Sequence, residues 1–99
     1  MPVDELRREP VRFSVTAPQV PFDAMANCIG AQASDHWPTT MQINLQARSA
    51  NVTAPNMADF QIRGEGAGSV VNWRRRKLAA DMGGLEATSR QIVDRCSKG

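Results

Sequence analysis

Cys28 and Cys96 are the only cysteines in this chain, and they lie 68 positions apart in two stretches that both read as helix. No other feature restricts the fold as much. With two cysteines the pairing is unambiguous if it forms, and a bridge would tie a helix near the front to the last helix. Chain entropy puts a cross-link over so long a loop at roughly 4 kcal/mol, a large share of a small domain's stability. It would also place the protein in an oxidising compartment, because cytosolic thiols are kept reduced. Two free thiols are the alternative, and the spacing leaves both open.

The helical reading rests on periodicity. Phe22, Met25, Ala26, Ile29 and Ala33 recur at helical intervals, with Pro21 suited to a first turn and Asp23 near the positive end. Cys28 projects from the flank of that stripe. After Gly83-Gly84, the residues Leu85, Thr88, Ser89, Ile92, Val93 and Cys96 share one face of a final helix, with Cys96 inside the stripe. The spacing therefore predicts helices near 22–34 and 84–97.

Between and before them the period is two. Val11, Phe13 and Val15 alternate with polar residues, as do Met41, Ile43, Leu45 and Ala47, then Phe60 and Ile62, then Val71 and Trp73. Gly64-Glu65-Gly66-Ala67-Gly68 is a hairpin signal. Ser49 to Asn56 reads as a connection with a short extended piece at Val52. Residues 1–10 read as a flexible leader, and 11–99 as a single domain.

The expected fold is thus α+β, in the order β-α-β-β-β-α. It is a two-layer sandwich with a mostly antiparallel four-stranded sheet and two helices packed on one face. The apolar strand residues should lie beneath the helices, with Trp73 largely buried. The opposite face should be open and display Arg12, Ser14, Thr16, Gln42, Asn44, Gln46, Arg48, Gln61, Arg63, Asn72 and Arg74. Such a face, with four arginines and no carboxylate, suits an anionic or hydroxyl-rich ligand or another protein.

Composition narrows the function classes. A formal charge of +2 is too small to imply polyanion binding by itself. Arg74-Arg75-Arg76-Lys77 is the densest run of charge and could neutralise phosphates, although cations also serve as solvated strand ends. No apolar run reaches the 18 or so residues of a membrane span. The charged start, Met1 to Arg8, lacks the apolar core of a signal peptide. That start suits a cytoplasmic chain, whereas the cysteines suit a mature segment exported to the periplasm or secreted.

Catalytic and metal readings find little to stand on. His36, the only histidine, adjoins Asp35 but has no serine or cysteine at a spacing that suggests a nucleophile. With two cysteines it falls short of a zinc set. No cofactor and no enzymatic activity are expected.

Two resemblances follow from these motifs. From residue 22 onward, helix, three strands and helix, with the basic residues 74–77 before the last helix, resembles the double-stranded RNA-binding domain in outline. The pattern departs from that family, whose lysine-rich motif opens the final helix; here Met82-Gly83-Gly84 intervenes. Second, the Ala-Asn-Cys-Ile context at 26–29, the Val-Val-Asn-Trp-Arg strand at 70–74 and the terminal Ile-Val-Asp-Arg-Cys together resemble small secreted or lipoprotein-type domains of Gram-negative bacteria. That resemblance covers roughly residues 22–96 and implies a periplasmic location and a disulfide, but no activity. The leading expectation is a non-enzymatic periplasmic or extracellular interaction module. The alternative is an intracellular nucleic-acid-binding domain using residues 74–77.

Overall fold

The computed structural model describes residues 9–76 and 84–98. Its elements run β1 (Phe13–Ala17), α1 (Phe22–Ser34), β2 (Thr40–Asn44), β3 (Ser49–Ala54), β4 (Ala58–Glu65), β5 (Gly68–Arg75) and α2 (Leu85–Ser97). The fold is α+β, with both helices contributing to one core and every strand pair antiparallel. The sheet has five strands rather than four, in the order β1-β5-β4-β3-β2. The additional strand is β3, which the sequence suggested only as a short extended piece.

β3 explains itself once its neighbours are seen. Ala50, Val52 and Ala54 alternate with Ser49, Asn51 and Thr53, so the period is two, but only Val52 is large. α1 lies over β3 and β4, and alanines let the helix backbone come close. The buried side chains of α1 (Phe22, Met25, Ala26, Ile29 and Ala33) are those its periodicity marked. They meet Val52, Phe60, Ile62 and Val71, all fully buried. Burial of a side chain of this size contributes about 1.5–3 kcal/mol, which far exceeds what helix propensity supplies to a 13-residue element.

Trp73 is fully buried, as its pattern predicts. Its ring stacks on Phe13 across the β5–β1 pair, with centroids 5.1 Å apart. The Arg90 guanidinium of α2 caps the other side of Phe13, 4.6 Å from the ring centre. α2 buries Leu85, Ser89, Ile92, Val93 and Cys96. Cys96 is bonded to Cys28, with Cα atoms 5.7 Å apart, so the bridge joins the two helices.

Four of the residues expected under the helices are instead exposed. Val11 precedes β1, and Leu45 falls in the turn after β2. Met41 and Ile43 are 44% and 38% exposed, although their register partners Val52 and Ala50 are buried. β2 is an edge strand that α1 only partly covers: the Met41 sulfur lies against Gly30, yet the Met41 and Ile43 side chains stay largely open to solvent.

Candidate functional site: the polar face of the sheet

The face away from the helices is where the strand register brings polar side chains into rows. Register pairs align Gln42 with Asn51, Asn51 with Gln61, Gln61 with Asn72, and Asn72 with Ser14. One straight row of four amides and a hydroxyl therefore crosses all five strands. At the usual inter-strand spacing it is about 19 Å long. A second row runs Thr40, Thr53, Asp59, Arg74, and a third runs Asn44, Ser49, Arg63, Val70, Thr16.

The hydrogen bonds divide this face into a fixed end and a free strip. At the fixed end Asp59 is completely buried. Thr53 Oγ1 donates to its Oδ1 at 2.9 Å, and Asn51 Nδ2 reaches both carboxylate oxygens at 3.3–3.4 Å. Arg74 Nη1 donates to Gln61 Oε1 at 2.7 Å, and its Nε donates to the Glu9 carbonyl at 3.1 Å. The segment around Glu9 thus lies against this end. Along the row, Ser14 Oγ donates to Asn72 Oδ1 at 2.7 Å. The amide nitrogens of Asn72 and Gln61 have no partner among the described residues. A depression of about 330 Å³ sits at the β2 end, lined by Gln42, Asn44, Ser49 and Asn51 with Ile43 and Ala50.

The expectation of a carboxylate-free face is corrected, whereas Arg63 and Arg74 of the expected arginines do lie on it. Asp59 belongs to that face, because it alternates with Phe60 on β4. Each of the four expected arginines is tied to a different protein group. Arg12 reaches Glu86 of α2 at 3.1 Å, away from the rest. Arg48 sits in the β2–β3 turn, donates to the Gly66 carbonyl and packs against Gly64, clasping that turn to the β4–β5 hairpin. Gln46 is also in that turn rather than on a strand. Arg63 pairs with Glu65 at 3.8 Å. Arg74 is held as described.

Within the basic run, Arg74 and Arg75 are successive strand residues and point to opposite faces of the sheet. Arg75 has an interaction of its own. The Arg76 backbone N–H donates to the Met57 carbonyl at 2.9 Å. Lys77 lies outside the described residues. The run therefore does not converge on one patch as far as Arg75.

Elsewhere, His36 is exposed at the end of α1, its ring 5.4 Å from Trp37. Among the described residues, no group of three or more His, Cys, Asp or Glu is placed to hold a metal ion. No helix among them is long and apolar enough to cross a membrane. A second hollow of about 320 Å³ lies beside the bridge, lined by Val20, Pro21, Ala24, Cys28, Arg95 and Cys96.

No protein-family model, curated protein or solved structure matches the chain. The site's own geometry is what bears on function.

Asn51, Thr53 and Ser49 carry no site signal in the sequence, because the alanines that alternate with them give their strand little hydrophobic pattern. Asp59 had a signal, its place between Ala58 and Phe60 at strand period. Its burial had none.

Proposed function

We propose that this chain is a non-enzymatic interaction module of an oxidising compartment, periplasmic or extracellular, whose polar sheet face holds a hydroxyl-rich partner. The row Gln42–Asn51–Gln61–Asn72–Ser14 carries the reading. Amides offer a donor and an acceptor on one rigid group, which matches hydroxyls that also do both. Sites on strands hold such groups more precisely than sites on loops. The row is long enough for an extended oligomer rather than a single small molecule. Because Arg63 and Arg74 on this face are already engaged with protein groups, a neutral polyhydroxyl chain fits better than an anionic one.

The Cys28–Cys96 bridge supports the compartment and accords with the resemblance to small secreted or lipoprotein-type bacterial domains. Protein purified without reductant should show no titratable thiol; two would remove the basis for that location.

The binding reading is tested by adding neutral cello- and chito-oligosaccharides, and separately heparin, to isotope-labelled protein. Neutral oligomers should move the side-chain amide signals of Gln42, Asn51, Gln61 and Asn72, and Asn72→Ala should weaken the response. Shifts induced only by heparin, or confined to the helices, would contradict it. The nucleic-acid alternative draws less support, since Arg74 and Arg75 diverge. Binding of duplex RNA that falls steeply with salt would revive it.

A further inference from the structure

We infer that β2 is a self-association edge, through which two copies of the chain join their sheets into one continuous ten-stranded sheet. The two edges of the sheet are treated differently by the sequence. At the β1 edge Arg12 and Glu86 form an ion pair, Arg90 covers Phe13, and Pro18 follows directly after the strand. Charges and proline at an edge are the usual guards against unwanted pairing. β2 has none of these. All five of its residues are exposed, and residues 37–47 contain no charged side chain and only one proline, Pro38, before the strand starts.

The occupant best suited to this edge is a second copy. An antiparallel pair of identical strands is related by a two-fold axis, so every contact is made twice. Centred on Gln42, it sets Met41 opposite Ile43 of the second copy, and Thr40 opposite Asn44 of the second copy. Met41 and Ile43, exposed on the helix side, then cover their counterparts, with Leu45 at the rim of the same cleft. On the other side Gln42 meets Gln42 of the second copy, so amide faces amide across the seam. The chain is net positive, yet an uncharged seam brings no like charges together. A strongly acidic or basic partner finds nothing there to pair with.

Two five-residue strands and their flanking side chains make a small interface, below about 1,200 Å² in total. Association is therefore weak, with a Kd on the order of micromolar or above. This inference is independent of what the polar face binds.

Sedimentation equilibrium of the full chain should show a reversible monomer–dimer equilibrium. Ile43→Lys should weaken it at least ~10-fold, since it places like charges in the seam, while Thr16→Lys on the other edge should leave it unchanged. The register is read by new cysteines. Gln42→Cys lies on the two-fold axis, where facing Cα atoms about 4.5–5.5 Å apart suit a disulfide, so it should cross-link two chains. Asn44→Cys, opposite Thr40 of the second copy, should cross-link far more slowly. A monomer at every concentration, dispersal by Thr16→Lys in place of Ile43→Lys, or equal cross-linking of the two cysteine variants would overturn the inference. The cysteine pair decides even if Ile43→Lys does not fold.

Discussion

Gly66 and Gly68 stand two residues apart in the β4–β5 hairpin, and substitution should affect them differently. Gly66 has a φ of 60° with open space around it, so alanine there meets only the left-handed backbone penalty of about 1–2 kcal/mol. Gly68 is buried where β5 passes the end of β1. A Cβ there would strike the Ala17 carbonyl oxygen and lie 2.5 Å from the Pro18 carbonyl carbon. Backbone cannot yield as a side chain does, so Gly68→Ala should cost about 3 kcal/mol or more, the upper end of overpacking. Thermal unfolding of the two variants checks the ranking, and equal losses would mean that the β1–β5 approach is looser than described. The same scale shows how far single letters could be read. The spacing of Asp59 assigns its face, but its burial depends on Thr53, Asn51 and the strand that carries them.

At the scale of elements, both helices were legible because each buries a broad apolar stripe, and a stripe is a local pattern. The strands were harder to read, for two physical reasons. β3 hides its alternation in alanines, which the close approach of α1 requires but which carry little hydrophobic signal. β2 shows the cleanest alternation in the chain yet is the most exposed strand. A period of two reports which side chains share a face, not whether anything covers it. The same gap explains the basic run at 74–77, since adjacency in sequence is divergence in a strand. The bridge bears on one element above all. The backbone of α2 lies closest to α1 and β1, so the covalent link to α1 is a main anchor. Replacing both cysteines, Cys28→Ser with Cys96→Ser, should lower stability by roughly 2–5 kcal/mol. Hydrogen exchange should then rise first in α2. An unchanged melting point would show that packing alone holds the helix in place.

For the whole molecule, the layers separate two roles. The helix side encloses the core, while the other side of the sheet presents polar groups in register, with a neutral row along its middle. The division into a covered face and a polar face could be read from alternation. How wide the helical cover is could not, because it depends on where α1 crosses the sheet.

The link between residues 28 and 96 also closes most of the chain into a covalent ring, with β1 and the first half of α1 in the tail outside it. A single backbone cut inside that ring leaves the pieces attached to each other. Leu45, 69% exposed in the β2–β3 turn, is the natural point for a protease that cleaves after large apolar residues. The clipped protein should run as one species under oxidising electrophoresis and split in two only after a thiol is added, with the sheet still spectroscopically intact before it.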